Sequence, residues 1–120
     1  MANSTYYFPN SPTFNSMTIE RATGAAAVSM TVTPTAKWWL YEIRIHLSAA
    51  GAAGNLTATI DNSAGTAYDI NLVTQDMTSV TDLVWQPEQP MLFALGDKLL
   101  ISWTNASTRT YGIEVCYQMK

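Results

Sequence analysis

KWWLYEIRIHLS, Lys37 to Ser48, is the stretch on which the fold turns. Trp39, Tyr41, Ile43, Ile45 and Leu47 fall on one side of it, and Trp38, Leu40, Glu42, Arg44 and His46 on the other. That two-residue period is the signature of a strand with one buried face, here a long strand expected near the centre of a sheet. Trp38 and Trp39 are neighbours, and successive strand residues point to opposite faces. Only one of them can join the core, so the other is exposed, lines a ligand groove or is buried against another subunit.

The same alternation continues outward in both directions. Downstream, Ala49 to Gly54 (AAGAAG) reads as a flexible turn of small residues, and Leu56 to Ile60 as a short strand. Asp61 to Gly65 (DNSAG) is a hairpin turn. Tyr68, Ile70 and Leu72 then alternate with Asp69 and Asn71, and Thr78 to Trp85 predicts a further strand closed by the Pro87 and Pro90 loop. After an apolar approach, Met91 to Ala94, the turn Leu95-Gly96-Asp97-Lys98 leads into Leu99, Ile101 and Trp103 on one face. Thr104 to Thr110 reverses the chain, and Tyr111, Ile113, Val115 and Tyr117 alternate with Gly112, Glu114, Cys116 and Gln118. Upstream, Thr18 to Arg21 and Ala27 to Thr33 add two strands. About eight short strands with evenly spaced turns predict an all-β, antiparallel β-sandwich of jelly-roll-like form, since each one-sided strand must be covered by a facing sheet.

Composition agrees. The chain has 120 residues, 48% hydrophobic and only 12% charged, which excludes intrinsic disorder and long charged helices. One domain is expected over residues 17–120, preceded by an arm over residues 1–16. That arm, MANSTYYFPNSPTFNS, has no regular period, two prolines and four aromatics: Tyr6, Tyr7, Phe8 and Phe14. A disordered tail avoids aromatics, and sixteen extended residues reach roughly 50 Å. The arm is therefore expected to dock, either as a strap on its own domain or on a neighbouring molecule.

Charge restricts the partners. Six basic against nine acidic residues give a net charge of −3, with no basic stripe of the kind that neutralises nucleic-acid phosphates or meets an anionic membrane. No stretch approaches the roughly 20 apolar residues of a membrane span, and the first sixteen residues lack a signal-peptide pattern. A single cysteine, Cys116, excludes an internal disulfide and favours folding in a reducing compartment. Cytoplasmic synthesis is the expectation.

No motif announces a reaction, and no catalytic, cofactor-binding or metal-binding residue is assigned. His46 is the sole histidine and has no nucleophile beside it in sequence. Cys116 carries no cysteine-protease signature and reads as a half-buried structural thiol. Asp61, Asp69, Asp76 and Asp82 invite a calcium reading, but Asp61-Asn62-Ser63 is followed by no glutamate before Glu88, so solvated turn acids are preferred. Trp38, Trp39, Trp85 and Trp103 are the best recognition candidates, because Trp and Tyr are enriched at protein interfaces.

The aromatic strand KWWLYEIRIHL (Lys37 to Leu47) and the closing pair FALGDKLLISWTNASTRTYGIEVCYQ (Phe93 to Gln118) resemble the small β-sandwich, jelly-roll-like virion proteins of tailed bacteriophages. Decoration or cement proteins and head-fibre or tail domains belong to that group, and the aromatic, proline-containing arm is similar to arms that lace neighbouring subunits. The resemblance implies a non-enzymatic virion protein on the capsid surface, clamping subunits of the major capsid protein, with a homotrimer favoured. It further implies capsid or neighbour contact for Tyr6, Tyr7, Phe8 and Phe14, and a subunit interface or ligand platform at Trp38 or Trp39. The alternative is a carbohydrate-binding or receptor-binding β-sandwich module of a head fibre or tail tip, for which a glycan would be the partner.

Overall fold

In the computed structural model, which describes residues 17–119, nine strands form: β1 (Met17–Gly24), β2 (Val28–Val32), β3 (Trp38–Leu47), β4 (Asn55–Asp61), β5 (Ile70–Asp76), β6 (Asp82–Trp85), β7 (Met91–Phe93), β8 (Lys98–Trp103) and β9 (Tyr111–Met119). The strands pair antiparallel throughout. One sheet has the order β1-β9-β3-β6, with β7 also on β3, and the other the order β2-β8-β4-β5. Five pairings explain both orders: β4 with β5, β3 with β6 and with β7, β2 with β8, β1 with β9. They are successive rungs of one long hairpin whose tip is the β4–β5 turn. Rolling that hairpin up brings β9 against β3 and β8 against β4, which makes a jelly-roll β-sandwich.

Hydrophobic alternation drives the rolling. Val28, Met30, Val32, Leu56, Ala58, Ile60, Leu99, Ile101 and Trp103 line the inner face of the β2-β8-β4-β5 sheet. They pack in one core cluster with Trp38, Leu40, Ile43, Ile45, Leu47, Ile113, Val115 and Tyr117 of the other. The sandwich expected from the sequence is the one observed. Its ninth strand arises because β6 and β7 lie end to end along β3, interrupted at the segment that carries Pro87 and Pro90.

Strict alternation in β3 fails at one point. Leu40 pairs with Tyr117 and Glu42 with the adjacent Cys116, so Tyr41 is an extra residue, a β-bulge. Ahead of the bulge the inward residues are Trp38 and Leu40; behind it they are Ile43, Ile45 and Leu47. The grouping of Trp39 and Tyr41 with Ile43 is thereby corrected. A second bulge, at Leu72 opposite Ala58 and Thr59, buries Val73 and leaves Ile70 48% exposed. Tyr68 lies outside the strand, in a short 3₁₀ turn over Thr66–Tyr68.

Two loops differ from their sequence reading. The strand expected from Thr78 is formed only from Asp82, because the preceding residues close over buried Met77 and pair with the AAGAAG loop. Gly51 N donates to Val80 O at 3.0 Å and Ser79 N to Gly51 O at 3.2 Å. That glycine loop is packed: a Cβ on Gly51 would lie 2.6 Å from Met77 O and 3.2 Å from the Trp103 ring. Smallness is demanded there by the indole beneath.

Buried polar side chains hold the remaining turns. Asp97 accepts from Ser63 N (2.8 Å) and Ser63 Oγ (2.9 Å) through Oδ1, and from Ala94 N (2.9 Å) through Oδ2. It ties the β4–β5 hairpin to the Leu95-Gly96-Asp97 turn. Burial would raise its pKa, but the hydrogen bonds from Ser63 and Ala94 outweigh that and hold it below the ordinary value. Asn105, at φ 49°, donates to Ala26 O and Arg109 O at 2.9 Å and accepts from Arg109 N at 3.0 Å, fixing the turn before β9.

Candidate functional site

The antiparallel register sets four transverse rows of outward side chains on the β1-β9-β3-β6 sheet. Met17, Gln118, Trp39 and Leu92 form the first; Ile19, Cys116 and Glu42 the second. Arg21, Glu114, Arg44 and Val84 form the third, and Thr23, Gly112, His46 and Asp82 the fourth. The face thus runs from apolar at one end to ionic at the other.

In the third row Glu114 sits between two guanidiniums. Arg21 Nε lies 2.5 Å from its Oε2 and Arg44 Nη2 3.4 Å from its Oε1, while Arg44 Nε reaches Glu42 Oε1 at 3.0 Å. The hydrogen bond from Arg21 and the charges of both arginines lower the Glu114 pKa. Exposed pairs of this sort contribute little to stability because solvent screens them; their effect is to cancel charge locally. In the fourth row His46 Nδ1 lies 2.5 Å from Asp82 Oδ1, and both side chains are largely exposed. Gly112 leaves a gap between Thr23 and His46, and a Cβ built there would meet nothing within 4 Å among the described residues. A groove of about 550 Å³ opens over it, walled by Arg21, Glu114, Arg44, Val84, His46 and Asp82. A second hollow of about 370 Å³ lies toward the apolar end, between Met17, Tyr41, Glu42, Cys116, Pro87 and Pro90. Gln86 Nε2 donates to Glu42 at its rim.

The opposite sheet presents a different surface. Its outward rows are Ser29, Ser102, Thr57 and Thr74, then Thr31, Leu100, Thr59 and Asn71. These two rows carry hydroxyls, one amide and one leucine, and no charge. Asp61 and Lys98 stand opposite each other at one end.

The candidates named from the sequence are placed as follows. Tyr6, Tyr7, Phe8 and Phe14 lie outside the described residues. Trp38 is wholly buried, its ring 4.9 Å from Phe93 and 5.8 Å from Tyr117, with Nε1 donating to Asp97 O at 3.3 Å. Trp39 is half-buried in the first outer row, Trp85 half-buried and Trp103 buried. Cys116 is half-buried on the outer face, and burial raises its thiol pKa, with Glu42 and Glu114 adding to the rise against Arg44. A raised pKa keeps a thiol protonated and a poor nucleophile. Among the described residues no three His, Cys, Asp or Glu side chains gather as metal ligands. Asp69 accepts from Asn62 N and Asp76 from Thr78 N and Oγ1, as turn acids do.

Sequence reasoning treated His46 and Asp82 separately; thirty-six residues apart, they are joined only by the β3–β6 register. It also passed over Gly112, although a glycine inside an alternating strand is itself a sign of close approach by another group.

No protein-family model matches the chain, and no curated protein matches it. Among solved structures it is similar to the cryo-EM structure of the giant freshwater prawn Macrobrachium rosenbergii extra small virus (XSV) VLP. The identity is 12% and the TM-score 0.36, over 100% of this chain and 94% of the other, too distant to bear on function. No helix among the described residues is long and apolar enough to cross a membrane.

Proposed function

We propose that this chain is a non-enzymatic structural subunit of a virion, of the capsid decoration or cement type, made in the host cytoplasm and assembled on the outer capsid surface. It binds the major capsid protein through several contacts at once and acts as a homotrimer, so that each added contact multiplies the effective affinity. Tyr6, Tyr7, Phe8 and Phe14 of the arm (residues 1–16) reach the capsid or a neighbour, and Trp39 belongs to the subunit interface. The sandwich of residues 17–120 is the body that carries them.

One observation carries this reading: how the outward polar side chains are distributed over the two sheets. One face has two adjacent rows without a charge, and on the other face the ionisable groups pair with one another across strands. Surfaces that pack permanently need few free charges to desolvate, whereas dilute monomers are kept apart by them. The saccharide alternative requires an aromatic platform. Among the described residues the groove over Gly112 is lined by no Trp, Tyr or Phe, and Trp39 is half-buried.

The test is reconstitution. Purified protein is added to capsids of the source virus from which it has been stripped, and bound copies and shell melting temperature are measured. Saturable binding with a raised melting temperature is the expected result. A protein that leaves the shells unchanged but is titrated by a free saccharide would replace this reading with the module.

A further inference from the structure

We infer that the notch over Gly112 is a docking site for a second copy of this chain, whose Val84 enters it. This rests on the assembly reading above and names the residues through which copies meet. Gly112 is the one outward position in the four rows without a side chain, and among the described residues nothing fills the space above it. Val84 forms the outer wall of the groove on the edge strand β6 and is 61% exposed, so its side chain also projects from the face. Hole and knob lie two strands apart, about 10 Å, too far for one copy to fill its own notch with its own Val84. An edge-strand knob seated in the middle of the next copy's sheet is a heterologous contact, and such contacts close into rings when the rotation allows.

Charge favours the same occupant. The incoming edge brings Asp82 beside Val84, and the notch is flanked by Arg21, whose side chain is 67% exposed and engaged through Nε to Glu114. Asp82 binds His46 through Oδ1, which leaves Oδ2 for a partner. The face as a whole carries Arg21 and Arg44 against Glu42, Glu114 and Asp82, so a copy of itself meets little net repulsion. A strongly acidic or basic partner would find no such match.

The experiment is light scattering of the full chain over a concentration series, with Gly112→Leu, Val84→Asp, Arg21→Glu, Asp82→Arg and the double variant R21E/D82R. The Cβ of residue 112 has open space and Val84 is exposed, so these chains fold; circular dichroism checks it. The wild type is expected to be an oligomer. Gly112→Leu, Val84→Asp and each single charge reversal should raise the dissociation midpoint at least tenfold, and the double reversal should return it to within about threefold of wild type. An oligomer unmoved by these changes overturns the notch contact alone, as does a monomer that still binds capsid shells. A monomer that binds no shell sinks the contact and the assembly reading together.

Discussion

Adjacent tryptophans with opposite fates show how far a single side chain can be read here. Trp38 fills the core against Phe93 and Tyr117, and its indole N–H is satisfied by the Asp97 carbonyl. Trp38→Ala should therefore cost about 3–5 kcal/mol of stability, while Trp39→Ala, on the outer face, should cost no more than about 1 kcal/mol. Urea unfolding of the two variants measures the contrast. Asp97 gives a second residue-scale prediction. Its folded pKa is lowered, so its contribution is complete above the unfolded value of about 3.9 and fades as pH falls through the lower, folded value. Asp97→Asn should be less stable at pH 7 by about 1–3 kcal/mol, since Ala94 N loses a charged acceptor. Melts from pH 7 to pH 2 should show that gap closing in the acid range. The sequence marked both residues, one as half of a choice and one as part of a turn. Burial and partner were not legible, because Trp38 is covered by Phe93 and Tyr117, far along the chain, and Asp97 is held by Ser63 from another hairpin, 34 positions away.

At the scale of elements, periodicity located most of the strands and placed the turns, because burial of one sheet face imposes it directly. It failed where the backbone adds a residue. Tyr41 is such an addition, and nothing in WWLYEIR distinguishes a bulge from unbroken alternation: both place Ile43, Ile45 and Leu47 inward, and they differ over Trp38, Trp39, Leu40 and Tyr41. Deleting Tyr41 leaves Trp38, Leu40, Ile43, Ile45 and Leu47 on the inner face and keeps Leu40 opposite Tyr117 and Glu42 opposite Cys116. Deleting Arg44 instead sends everything on one side of the gap to the wrong face. The first variant should fold, with a sharp thermal transition and native near-ultraviolet circular dichroism; the second should lose both. The AAGAAG loop was misread for a related reason. Small residues signal either freedom or lack of room, and only the Trp103 ring beneath Gly51 decides for the latter. Gly51→Ala should cost about 1–3 kcal/mol, as overpacking does, measured by the same urea transition.

For the whole molecule, the rolled hairpin separates the residues of the core from those proposed for association. Its core is closed by contacts between the two inner faces, and every proposed association residue lies on an outer face or in the arm. The outer groove was the least legible feature in the sequence. It needs four strands in register to exist, and its residues come from four segments between Arg21 and Glu114. The division has a measurable consequence. A chain lacking residues 1–16 keeps all the inner-face packing described above, so its melting temperature at low concentration should stay within about 3 °C of the full chain, on the order of the shift that follows a change under 1 kcal/mol. Its binding to stripped capsid shells should fall at least tenfold, because Tyr6, Tyr7, Phe8 and Phe14 are gone and one arm of a multivalent contact is lost per protomer. A large drop in melting temperature would instead place the arm on its own sandwich as a strap, and the aromatic residues that precede Met17 would then belong to the core they were proposed to leave free.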